Sequence, residues 1–203
     1  CMTAPAQDRF RTIPCILMCD MKIRYSAKVE QTQVLGPGKR AVLWVHGCCF
    51  DCPGCIAPGF KEGSYTEADP QTLARWYLDL DAEGLTISGG EPMLQAEALA
   101  RMIREIRGVR DTGVIVYTGF VYETLLEKAR QDAGIQSFLE QIDLLIDGPY
   151  IQERNHGEPY RGSDNQRLLA LTDRYSEELK SYYAGQQGRQ IEIRISGENT
   201  LLV

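Results

Sequence analysis

The sequence predicts an α/β fold with a parallel sheet, on three observations. Short apolar runs alternate with segments of helical periodicity between Ala41 and Ile146, and most of these runs end at a loop of glycines and small polar residues. In addition, 203 residues with 43% hydrophobic and 25% charged content suit one globular domain with a sizeable core. Strand, loop and helix in that order make right-handed βαβ units.

Residues Cys1 to Asp20 show no sustained periodicity, so the folded domain is expected to begin at Met21, leaving 1–20 as an N-terminal tail. Lys22 to Val29 alternates like a strand. Gly36-Pro37-Gly38 marks a tight turn before Lys39, Arg40 and the strand Ala41 to Val45. Lys39 and Arg40 read equally as solvated turn cations or as neutralisers of charge at a site. Asp69-Pro70 caps a helix over Pro70 to Leu80. Leu85 to Ile87 is a strand running into Ser88-Gly89-Gly90-Glu91-Pro92, followed by a helix with Leu94, Ala98, Leu99, Met102, Ile103 and Ile106 on one face. Val114 to Tyr117 is the next strand, ending at Thr118-Gly119, with a helix from Val121 to Arg130. Ile142 to Ile146 is a further strand ending at Asp147-Gly148-Pro149, where Asp147 reads as a turn cap. Asn155 to Asn165 reads as a polar surface loop across the open end of the sheet, a candidate lid in which His156 is solvated. Arg174 to Tyr183 has helical character, and Ile191 to Ile195 alternates like a half-exposed strand.

The apolar runs are far shorter than the roughly 20 residues that span a bilayer. A formal net charge of -6 argues against a general nucleic-acid or anionic-membrane binder. Neither is expected as a partner. Seven cysteines form an odd set with no secretory signal, so reduced thiols and a cytoplasmic location are expected.

Cys48, Cys52 and Cys55 lie directly after the strand Ala41 to Val45, where a parallel α/β fold gathers its active site. Thiolates are the soft ligands that iron-sulfur clusters and zinc prefer. Zinc would need a fourth ligand, and Cys49 and His46 are the near candidates. A [4Fe-4S] cluster held by three cysteines instead leaves one iron open to a small molecule. Cys15 and Cys19 repeat the first spacing without the third cysteine, and read as buried apolar residues.

Cys48-x3-Cys52-x2-Cys55 followed by Gly89-Gly90-Glu91-Pro92 resembles the radical S-adenosylmethionine (SAM) superfamily. Gly36-Pro37-Gly38, Cys52-Pro53-Gly54-Cys55, Thr118-Gly119, Asp147-Gly148 and Arg161-Gly162-Ser163-x-Asn165-Gln166 bring it close to small activases, notably those of anaerobic ribonucleotide reductases. The resemblance covers about Lys22 to Leu171. It implies a partial, open βα barrel of parallel strands, with a radical SAM domain at 21–171 and a C-terminal extension at 172–203 packed on it. Cys48, Cys52 and Cys55 would hold a [4Fe-4S] cluster. SAM would bind the open iron near Ser88, Gly89, Gly90 and Glu91, with Tyr117 and Thr118 facing it. Gly54 stands where many members carry an aromatic residue close to the adenine.

The resemblance also implies the reaction. SAM is cleaved reductively to a 5'-deoxyadenosyl radical that abstracts hydrogen from a polypeptide backbone, as in glycyl-radical activation of an anaerobic ribonucleotide reductase. A flavodoxin or ferredoxin would supply the electron. The C-terminal extension suggests an alternative, radical modification or splicease-type excision in a ribosomally made precursor peptide, together with an accessory protein. A non-catalytic iron-sulfur or zinc module is the outside alternative. Arg161 to Gln166 either clamps substrate or pins its own loop, and pinning is the expected role.

Overall fold

The computed structural model describes residues 21–185, 189–196 and 199–202. The tail 1–20, with Cys15 and Cys19, lies outside the described residues. Seven strands form one open sheet: β1 (Ile23–Thr32), β2 (Arg40–Val45), β3 (Thr66–Ala68), β4 (Gly84–Gly89), β5 (Gly113–Tyr117), β6 (Leu144–Asp147) and β7 (Arg167–Ala170), in the spatial order β3-β1-β2-β4-β5-β6-β7. The helices are α1 (Gly59–Glu62), α2 (Pro70–Leu78), α3 (Ala96–Arg107), α4 (Tyr122–Ala129), α5 (Ala133–Leu139) and α6 (Ser176–Tyr183).

Among the described residues, only the central strands β2, β4, β5 and β6 pair in parallel. The expectation of parallel strands throughout needs correction, because β1, β3 and β7 pair antiparallel with their neighbours. The reason at β1 is chain length. The link between Thr32 and Arg40 is shorter than the dozen or so residues that a parallel crossover requires.

Side chains alternate across the pleat. Ala41, Leu43, Val45, Leu85, Ile87, Val114, Val116 and Leu145 pack against Leu73 and Tyr77 of α2, Leu99, Met102, Ile103 and Ile106 of α3, Leu125 of α4 and Phe138 of α5. This is the main core, where each fully buried leucine or isoleucine contributes about 2 kcal/mol. On the opposite face, Val42 and Trp44 pack with Val29, while Ile115, Leu144, Ile146 and Leu168 receive Tyr175 and Tyr182 from the C-terminal segment.

Helix boundaries follow the expectations, with α3 preceded by a 3-10 turn at Pro92–Gln95. Apolar periodicity missed the short elements α1, β3, α5 and β7. The hairpin β8 (Ile193–Ser196) and β9 (Asn199–Leu202) forms a separate two-stranded sheet, slightly beyond the predicted strand Ile191 to Ile195. Thr32 Oγ1 donates to Glu192 Oε2 at 2.6 Å, tying the segment before β8 to the end of β1.

Arg40 fits neither reading made from sequence. It is 1% exposed and lies at the amino end of β2, away from the cysteine loop. Its guanidinium donates to Thr86 Oγ1 (2.6 Å), Tyr175 Oη (2.7 Å) and the carbonyls of Pro37 (3.2 Å), Leu85 (2.6 Å) and Gly113 (2.9 Å). A charge that cannot be neutralised is thus solvated by protein oxygens. Lys39 forms an exposed pair with Asp81 at 2.5 Å.

Candidate active site at the carboxyl ends of the parallel strands

The β2 strand delivers the cysteine loop and β4 the glycine loop, and their pairing makes the two loops neighbours: Trp44 stands level with Ser88 and Val45 with Gly89. The contact continues past the strands. Gly90 N–H donates to Val45 O (2.8 Å), and Glu91 N–H donates to Gly47 O (2.8 Å). A Cβ on Gly90 would lie 2.0 Å from Gly47 O, so only glycine permits this approach.

Cys48 and Cys52 are half-buried, whereas Cys49 and Cys55 are exposed. The amides of Phe50 and Ala57 point at the sulfurs of Cys48 and Cys55, each at 3.4 Å. Such N–H···S contacts favour a charged sulfur and tune a bound cluster. Burial pushes the Cys48 thiol up, a direction that coordinated iron reverses. Among the described residues no three His, Cys, Asp or Glu side chains gather as a single metal ion would require. The donor set still suits a cluster, since three thiols on one loop would each bind a different iron rather than converge on one ion. His46 is turned elsewhere. Its Nδ1 lies 2.9 Å from Ser26 Oγ, its ring stacks on Tyr65 at 4.6 Å, and Gln95 Nε2 donates to its carbonyl at 3.1 Å.

Glu91 is 1% exposed. Its Oε1 accepts from Met93 N–H (2.9 Å) and Thr118 Oγ1 (2.9 Å), and its Oε2 accepts from Gly119 N–H (2.8 Å). Burial outweighs these donors and raises its carboxyl to about 7. The side chain therefore straps the β4 loop to the β5 loop. The third loop also reaches the first, because the Phe50 ring meets Phe120 edge-on at 4.8 Å. Phe50 and Phe120 escaped sequence reasoning; their only signal was an aromatic residue inside the cysteine loop and another after Thr118-Gly119.

Ser88 and Tyr117 are half-buried at the strand ends on the face opposite the main core. Tyr117 Oη donates to Tyr160 O at 2.7 Å, and burial raises its phenol, so it stays a donor. Gly54 has φ of 66° and faces Gln152, whose Oε1 would lie 1.8 Å from an added Cβ. The loop from Pro149 to Gln166 thus reaches the cysteine loop. Arg161 Nη1 donates to the carbonyls of Asp164 (2.9 Å) and Gln166 (2.7 Å), and Gln166 Oε1 accepts from Gly162 N–H (2.9 Å), which is the expected pinning. Asp147 caps a turn as expected, accepting from Tyr122 N–H at 2.7 Å, and also pairs with Arg167. His156 is exposed, 3.9 Å from Asp164.

The sequence profile of the 4Fe-4S single cluster domain matches residues 34–169. An anaerobic ribonucleoside-triphosphate reductase-activating protein of Vibrio cholerae is 32% identical over 153 residues, covering 68% of this chain and 92% of that protein. The protein of the same name from Enterobacteria phage T4 is 29% identical over 147 residues, covering 69% and 89%. A pyruvate formate-lyase-activating enzyme of Listeria monocytogenes is 35% identical over 71 residues, 32% of this chain and 29% of that enzyme. With the cysteine and glycine loops joined at one end of the sheet, the chain belongs to the 4Fe-4S single cluster domain family and is a radical SAM activase, an enzyme whose cofactors are an iron-sulfur cluster and S-adenosylmethionine.

Proposed function

We propose that the protein generates a glycyl radical in a partner polypeptide, as in the activation of an anaerobic ribonucleotide reductase. The observation that carries this reading is the junction of the cysteine and glycine loops through Gly90 and Glu91, which supports two cofactors side by side. When bound, the reduced cluster and SAM would supply the radical chemistry that removes a hydrogen atom from the substrate.

Cys48, Cys52 and Cys55 would hold the cluster, with Cys49 outside the ligand set. Ser88, Gly89 and Gly90 offer backbone and hydroxyl groups to the methionine end of SAM, and Glu91 fixes their position through Thr118 and Gly119. Burial raises the Glu91 carboxyl to about 7, and an ammonium group brought near it would favour its charged form. Gly54, Tyr117 and Thr118 line the remaining sides. Phe50 and Phe120 exclude water beside the cysteine loop. We read 21–171 as the catalytic unit, a partial barrel whose unclosed sheet admits a polypeptide loop, and 172–203 as an extension. A flavodoxin or ferredoxin of a reducing cytoplasm fits as electron donor, in keeping with the free thiols at Cys48, Cys49, Cys52 and Cys55.

The test is anaerobic reconstitution with iron and sulfide, reduction, and assay for 5'-deoxyadenosine and for a glycyl radical signal on an anaerobic ribonucleotide reductase of the same organism. Both are expected. SAM cleavage without any radical on the reductase would reject the reductase as substrate, and no cleavage would reject the chemistry.

A further inference from the structure

The β1–β2 pair opens where the chain leaves the sheet for the cysteine loop, and one side chain sits in the opening. In an antiparallel pair, two residues that face each other exchange both N–H···O bonds. Beyond the level of Tyr25 and Val45, His46 N–H donates to Arg24 O at 2.9 Å. The reciprocal bond is relayed. Arg24 N–H donates to Gln95 Oε1 (2.7 Å), and Gln95 Nε2 donates to His46 O (3.1 Å) and to Arg24 O (3.0 Å).

An amide suits this place. The Arg24 N–H needs an acceptor while the two carbonyls need donors, and a carboxylate, an ammonium or a hydrocarbon cannot supply both. Gln95 and His46 are each 8% exposed, so these bonds are shielded from water. Gln95 also ends the 3-10 turn Pro92–Gln95, which directly follows Glu91. One short segment therefore meets the glycine loop at its start and the opened strand pair at its end.

The two residues before the first cysteine of the triplet are held on all sides. His46 is bonded to β1 and to Gln95, Gly47 N–H donates to Phe60 O of α1 (2.9 Å), and Gly47 O accepts from Glu91 N–H (2.8 Å). Gly47 makes the turn with φ of 92°, a conformation open to glycine. The other two cysteines of the triplet are placed differently. Cys55 N–H donates to Cys52 O at 3.1 Å, a bond that stays inside the loop. Cys48 is thus the cysteine whose backbone is tied closely to the sheet and to the glycine loop.

We propose that Gln95 is a positioning residue for the reaction: its amide, wedged between Arg24 and His46, sets Cys48 against the glycine loop and thereby sets how cluster and SAM meet. Reacting groups misplaced by about 1 Å lose much of their reactivity. The inference rests on the reading that Cys48 holds the cluster and that SAM settles at the glycine loop.

The test is Gln95→Met, which keeps an unbranched side chain of similar length and removes the amide. After anaerobic reconstitution, iron per chain is measured and SAM is titrated onto the reduced cluster, followed by electron paramagnetic resonance. Iron content is expected to match wild type, while the dissociation constant for SAM rises about 3- to 10-fold and the spectrum of the SAM-bound cluster shifts. Wild-type affinity and spectrum overturn the inference. Iron lost as in Cys52→Ser also overturns it, because Gln95 would then be needed to hold the cluster rather than to place it. Thr32→Val, which loses the bond to Glu192 at the far end of β1, is expected to lower Tm and leave SAM affinity alone. An equal loss of affinity there marks general loosening and overturns the inference too. Should Gln95→Met not fold, Gln95→Asn, with its amide one methylene short, is read by the same measurements with the same outcomes. If wild type binds no SAM, the reading of the glycine loop falls and takes this inference with it, a result distinct from equal affinities in the two proteins.

Discussion

Arg40 and Glu91 are equally buried, each 1% exposed, at opposite ends of the parallel strands, and the protein treats them differently. Arg40 reaches five oxygens drawn from the β1–β2 link, β4, β5 and the C-terminal segment. Glu91 has three donors, and its carboxyl still rises to about 7. A guanidinium cannot shed its charge and must be solvated completely, whereas a carboxyl can take up a proton when its surroundings are too dry. One end of the sheet is therefore saturated and holds strands together. The other holds a carboxyl that is responsive to pH.

The largest effect that sharpens this contrast lies at the responsive end. Cys52→Ser is expected to lose nearly all cluster iron after reconstitution, and Cys49→Ser none; equal losses in iron and visible absorbance would break the ligand assignment. Next is Arg40→Met, which strands buried carbonyls and is expected to cost about 3–5 kcal/mol in denaturant unfolding. A cost below that of Glu91→Gln would reverse the contrast.

Glu91 itself gives a pH signature. Its folded pKa lies above the unfolded value of 4.5, so its contribution to stability is fully present below about pH 4.5 and is lost as pH rises through about 7. The loss amounts to about 3 kcal/mol across that window. Denaturant unfolding at several pH values should show it in the wild type and not in Glu91→Gln; parallel slopes in the two proteins would rule it out. A smaller effect is expected of Gly54→Ala, where a left-handed backbone and the Gln152 contact together cost about 1–2 kcal/mol. Added Gln152→Ala should recover part of it. Smallest of all, Asp81→Asn breaks only the exposed pair with Lys39 and should leave the unfolding midpoint unmoved.

Much of this was legible in sequence because strands β2, β4, β5 and β6 each end at a loop with a distinctive composition. The cysteine triplet and Gly89 to Pro92 stood next to apolar runs that fixed their place in the fold. Arg40 was misread because its partners, Thr86, Gly113 and Tyr175, are distant in the chain, and no local pattern announces a buried cation. Glu91 was expected beside SAM, and its bonds to Thr118 and Gly119 could not be foreseen because they depend on β4 and β5 being neighbours, which only the sheet order supplies. The antiparallel β7 followed the same rule. Its four residues carry no period long enough to read, and its direction comes from pairing with β6.

The backbone bonds from Gly90 to Val45 and from Glu91 to Gly47 have a consequence for the order of assembly. These bonds join the two loops directly, so an order imposed on the cysteine loop is passed to the glycine loop. Linked equilibria are reciprocal. If loading the cluster raises the affinity for SAM by some factor, bound SAM must retain the cluster more strongly by that same factor. An oxygen-damaged or partly demetallated molecule would then announce itself first as one that no longer holds SAM, and excess SAM would act as a preservative of the metal centre.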